Sequence, residues 1–153
     1  MRDLPISSLG HMKTVLLIED HKEFREFLAT MLLDEGFDVI SARCPDDAFK
    51  TLRSEGGAPD LILSDLEMPF TLSNQFFKYK YSYEVGLQSI EELAWVFEGV
   101  PVIAMTALPE AVVKLAKERF PAFPVLRKPF HHDVLLTLIR ELTSSTNALA
   151  LLQ

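Results

Sequence analysis

Cysteine is almost absent. Cys44 stands alone, which rules out an internal disulfide framework and suits a reducing cytoplasm. Cations are also scarce: 15 lysines and arginines face 22 acids, a formal charge of −7. That balance argues against nonspecific duplex binding. Unbroken apolar runs reach about five residues, as in Val15–Ile18 and Ala148–Leu152, well short of the roughly 20 that a membrane helix needs. No charged-then-apolar leader opens the chain. Six glycines and nine prolines in 153 residues are too few for a low-complexity chain. What is left is a globular composition, 48% hydrophobic and 24% charged, with length for one domain and one core. Residues 1–12, which contain Gly10-His11-Met12, read as a lead-in or tag remnant, 13–143 as the domain, and 144–153 as a tail.

Short continuous apolar runs predict strands buried on both faces at Thr14–Ile18, Phe37–Ala42, Leu61–Leu63, Val100–Met105 and Phe123–Leu126. Helical stripes lie between and after them. Phe24, Phe27, Leu28, Met31 and Leu32 form the first, with Gly36 as its stop. Leu87, Ile90, Ala94 and Phe97 form another, followed by Val112, Leu115, Ala116 and Phe120, and then by Val134, Leu135, Leu138, Ile139 and Leu142. Pro45-Asp46-Asp47 and Pro109-Glu110 have the proline and acids of helix N-termini. Five β-α units in succession mean a doubly wound parallel sheet with helices on both faces. Strand starts fall 22 to 24 residues apart, except that 41 residues separate Leu61 from Val102. The surplus falls between Pro69 and Gly86.

In a parallel sheet all strand C-termini reach one edge, where ligands bind. Those ends carry Glu19-Asp20, Asp65, Thr106-Ala107 and Lys128-Pro129. Converging carboxylates suit a hard cation such as Mg²⁺, and a lysine and a hydroxyl beside them suit phosphoryl oxygens. Each acid alone is as well explained as a helix cap. Four complementary strand ends are not.

Val15-Leu16-Leu17-Ile18-Glu19-Asp20, Ile62-Leu63-Ser64-Asp65-Leu66-Glu67-Met68-Pro69, Ile103-Ala104-Met105-Thr106-Ala107 and Arg127-Lys128-Pro129-Phe130 resemble, in order, the motifs of bacterial response regulator receiver domains. The resemblance covers all five units. It implies a flavodoxin-like (βα)5 fold with an insertion between strand 3 and helix 3. It also implies that Asp65 is the phosphoacceptor for a histidine kinase or phosphotransfer protein. By the same resemblance Asp20, Asp65 and the Glu67 backbone carbonyl ligate Mg²⁺, Glu19 acts through water, and Thr106 and Lys128 hold the phosphoryl group. A cis Lys128–Pro129 bond is expected, and the chemistry would be autocatalytic only. Phosphoryl transfer asks a protein mainly for alignment and positive charge, which this set supplies.

Three residues depart from the family's habit. Val125 stands where an aromatic switch residue is common, three before Lys128. Glu67, two after the acceptor, puts a carboxylate where it is expected to repel phosphate or to orient a hydrolytic water. Leu108 is placed to shield the phosphoryl group.

The segment Phe70–Tyr83 holds Phe70, Phe76, Phe77, Tyr79, Tyr81 and Tyr83 with Lys78 and Lys80, and no acid. Its period-2 pattern suits a short strand. Its aromatics suit a lid on the domain itself, or a surface that docks a protein partner or forms a homodimer. His131 and His132 are expected to point about 100° apart at a helix start, which disfavours a shared metal. The alternative function is a haloacid-dehalogenase-like phosphohydrolase with Asp65 as nucleophile and Glu67 two residues on. The earlier acidic pair Glu19-Asp20 argues against it. Eleven residues from Thr143 to Gln153 are too few for a DNA-binding domain, so output is expected elsewhere, in a partner this sequence does not identify.

Overall fold

The computed structural model describes residues 12–67 and 83–144. Five strands, β1 (Thr14–Ile18), β2 (Asp38–Ala42), β3 (Leu61–Asp65), β4 (Val102–Thr106) and β5 (Val125–Arg127), form one parallel sheet in the order β2-β1-β3-β4-β5. They alternate with α1 (Lys22–Asp34), α2 (Pro45–Glu55), α3 (Tyr83–Val96), α4 (Glu110–Arg119) and α5 (His132–Thr143). The chain runs outward from β1 to β2, then crosses back so that β3 pairs with the other side of β1. The reversal leaves a crevice between the C-terminal ends of β1 and β3, where open α/β sheets bind ligands.

Alternation along each strand supplies the two cores. Leu16, Ile18, Ile62, Val102 and Ala104 pack on one face with Leu52, Leu87, Ile90, Leu93 and Ala116. Val15, Leu17, Leu61, Leu63, Ile103 and Met105 pack on the other with Leu28, Leu32, Leu135 and Ile139. β1, β3 and β4 have buried side chains along nearly their whole length, as continuous apolar runs require.

The helical stripes are shifted from those read by period. Phe27, Leu115 and Val134 are exposed, whereas Val113, Leu136 and Leu93 are buried. Where apolar residues are adjacent, the period alone leaves the buried one undecided, and the angle at which the helix meets the sheet selects it. β4 begins at Val102 rather than Val100, and β3 and β5 reach Asp65 and Arg127. Gly36 lies just past α1 at φ 90°, and Gly56 caps α2 at φ 68°, backbone that glycine adopts at little cost.

The third helix begins at Tyr83, not Gly86, so the last residue assigned to the insertion is helical. The rest of the aromatic segment, together with the lead-in and nearly all of the tail, lies outside the described residues. Gly86 has a different duty: a Cβ there would sit only 2.8 Å from Leu66 Cα and closer still to the Leu66 carbonyl. α3 therefore passes directly over the backbone that follows Asp65.

Candidate functional site

β1 delivers Glu19 and Asp20 to the rim, and β3 ends on Asp65 itself. One carboxylate oxygen from each of the three lies within 4.8 Å of the others. Glu19 and Asp65 are buried. Lys128, the residue after β5, reaches across the sheet edge and donates to Glu19 Oε2 and Asp65 Oδ2, both at 2.9 Å. The Lys128–Pro129 peptide is cis, and Lys128 Nζ also lies 4.8 Å from the centre of the Phe24 ring.

One ammonium does not balance three acids. Burial, and then repulsion from Asp65, pushes the Glu19 carboxyl up to about 7 against the pull of Lys128. Asp20 is raised for the same two reasons. Burial works against the charge on Lys128, but Asp65 and the bonds to Asp65 and Glu19 outweigh it and raise its pKa. An all-oxygen donor set carrying surplus negative charge fits a hard divalent cation.

Neighbouring backbone holds these acids in place. Arg25 Nη1 donates to the Glu19 carbonyl at 2.9 Å and the Asp20 carbonyl at 3.3 Å. The His21 amide donates to Glu19 Oε1 at 3.1 Å, and the Glu67 amide to Asp65 Oδ1 at 2.9 Å. His21 caps α1 through Nδ1 and is exposed. Arg25 carried no readable signal, because a surface-compatible cation at a helix start has many equivalent uses.

The β4 side of the rim is arranged differently. Thr106, fully buried, donates its hydroxyl to Glu67 Oε1 at 2.8 Å, and the Ala107 amide donates to the same oxygen. Leu108 N–H donates to Thr106 Oγ1 at 3.0 Å. The Glu67 carboxylate thus turns toward β4 instead of hanging over Asp65. Val125 is partly buried against the α2–α3–α4 core. His131 and His132 do not diverge: their rings stack with centroids 4.6 Å apart, and both lie near Asp133. His131 is the α5 N-cap, outside helical geometry, so the 100° step does not apply to it.

The response regulator receiver domain family matches residues 15–140. The chain belongs to that family. Among its relatives are a CpxR homolog from Haemophilus influenzae, 30% identical over 84% of this chain, and GlrR of Escherichia coli, 30% identical over 79%. Both are transcriptional regulatory proteins. This chain spans 49% of the length of the first and 24% of the second. Among solved structures it is similar to response regulator TrrA from Thermotoga maritima in complex with Mg²⁺-BeF, with 26% identity and a TM-score of 0.65. That match covers 86% of this chain and 99% of that one. A receiver domain protein from Clostridium thermocellum superposes with a TM-score of 0.70 at 20% identity, over 93% of this chain and all of that one.

The protein is thus a response regulator receiver domain of a two-component system, a signalling module of the kind that interacts with histidine kinases or phosphotransfer proteins. The haloacid-dehalogenase alternative finds no support in these relatives. Among the described residues no helix is long and apolar enough to cross a membrane.

Proposed function

We propose that Asp65 of this receiver domain accepts a phosphoryl group from a histidine kinase or phosphotransfer protein and thereby switches a protein–protein interaction. The observation that supports this most is the burial of Asp65 at the end of β3, with Glu19 and Asp20 clustered on it and Lys128 bonded to it. Asp20 and Asp65 would hold Mg²⁺ through carboxylate oxygens, with the Glu67 backbone carbonyl as third protein ligand and Glu19 acting through water. When bound, the cation supplies positive charge that lets an anionic donor approach.

Lys128 and the Glu67 amide each fix one oxygen of Asp65, which limits the rotation a nucleophilic carboxylate would otherwise lose on attack. An Asp65 oxygen forms the new bond to phosphorus, and the bond to the donor breaks with its electron pair leaving on the donor. Lys128 and the Thr106 hydroxyl then hold charge that exists only once the phosphoryl group has arrived. The chain works in the cytoplasm with autocatalytic chemistry only. Its domain spans residues 13–143, with the 70–83 segment an insertion that either folds over the site as a lid or contacts a partner or a second copy.

Incubation with a small acyl phosphate and Mg²⁺ should add one phosphate to the intact mass, and chelation should abolish it. Asp65→Asn should remain unlabelled; a phosphate adduct on that variant would overturn the assignment. Sustained turnover of p-nitrophenyl phosphate would point instead to a hydrolase.

A further inference from the structure

Two donors at the end of β4, the Thr106 hydroxyl and the Ala107 amide, converge on one oxygen of Glu67. Each has a single hydrogen to give. Leu108 N–H occupies the acceptor side of the Thr106 hydroxyl, so the hydroxyl hydrogen is directed at the carboxylate. Glu67 starts two residues after Asp65, and its own amide is tied to Asp65 Oδ1. An anionic oxygen delivered from beside Asp65 and received by these two donors is what a phosphoryl group on Asp65 would present to the Thr106 hydroxyl.

We propose that Glu67 is an internal stand-in for the phosphoryl group: its carboxylate fills the Thr106–Ala107 donor pair in the unphosphorylated protein and must be displaced before a phosphoryl oxygen can bind there. The inference rests on Asp65 being the phosphoacceptor. Competition is one for one, because neither donor has a second hydrogen. Displacement also leaves a carboxylate beside a new dianion, so charge repulsion adds to the lost bonds. Glu67 is therefore a positioning residue with two effects. It keeps Thr106 and the β4–α4 turn drawn toward the acceptor without phosphate, and it weakens the site's hold on phosphate.

The test compares wild type, Glu67→Gln and Glu67→Ala by amide NMR, first free and then titrated with beryllofluoride and Mg²⁺. In the free proteins the Ala107 amide proton should lie downfield in wild type, move upfield in Glu67→Gln, and move further in Glu67→Ala. Beryllofluoride affinity should rise about tenfold or more in Glu67→Ala, the scale of releasing two donors from a charged acceptor. Glu67→Gln should fall between, since its amide oxygen still accepts but carries no charge. An Ala107 proton unmoved by Glu67→Ala, or an affinity equal to or below that of wild type, would overturn the proposal. Beryllofluoride binding that survives in Asp65→Asn would overturn the acceptor assignment itself and this inference with it, while the free-state Ala107 shift reports the Glu67 contact independently.

Discussion

The two halves of the rim hold opposite imbalances. On the β1–β3 side, Glu19, Asp20 and Asp65 crowd around one ammonium, and burial raises two of the carboxyls. On the β4 side, two donors have taken in a carboxylate from two residues beyond Asp65. One half has anions short of a cation; the other has donors already satisfied by an anion. The contrast teaches that the acidic half depends on something added to the protein, whereas the β4 half has found an internal partner. Removing groups from each half should therefore produce different symptoms.

The largest effect is expected from the acidic half. At a hundred times its dissociation constant, Mg²⁺ should stabilise the wild-type protein by about 2.7 kcal/mol. Asp20→Asn should lose most of that increment, read as the Mg²⁺-dependent shift of a thermal melt. An unchanged shift would break the distinction between the two halves.

Gly86→Ala tests the floor beneath both halves, because the added methyl would press on the Leu66 backbone. Overpacking of this kind should cost about 1–3 kcal/mol, measured by urea unfolding. A variant as stable as wild type would show that α3 yields without disturbing the acceptor turn.

Thr106→Val acts on the β4 half alone. It keeps the shape, removes the hydroxyl bonded to Glu67, and leaves Leu108 N–H without its acceptor. A stability loss of about 1–2 kcal/mol is expected, with Mg²⁺ affinity nearly unchanged. A large drop in Mg²⁺ affinity would mean that the halves are coupled before phosphorylation.

The smallest effect belongs to a site away from the rim. Asp47 Oδ2 accepts from the Arg43 amide at 2.9 Å and from its Nε at 3.3 Å. The amide bond chiefly, and the guanidinium after it, lower the Asp47 pKa below 3.8 despite partial burial. A lowered folded-state pKa stabilises above 3.8 and ceases to do so as pH falls through the folded value. Asp47→Asn should therefore cost under about 1 kcal/mol at neutral pH, and the gap to wild type should close in acid. A gap that widened in acid would reverse the sign.

Much of this architecture is legible in the sequence. Val15–Ile18 and Leu61–Leu63 are unbroken apolar runs, each followed within two residues by acids, and such strands must be covered on both faces. That pattern places Glu19, Asp20 and Asp65 on one edge without any coordinates. The helices are less legible. Leu115 and Val113, or Val134 and Leu136, are equally apolar, and only contact with the sheet decides which is buried.

The parallel β-α architecture and the set of polar groups on its rim follow from residue order alone, because continuous apolar strands and strand–helix succession force both. Tertiary structure alone decided where the Glu67 carboxylate points and why residue 86 is glycine. Each depends on a neighbour remote in sequence, Thr106 in one case and Leu66 in the other. Hydrogen-bond direction and close backbone approach are properties of assembled elements, and no local pattern of residues encodes them.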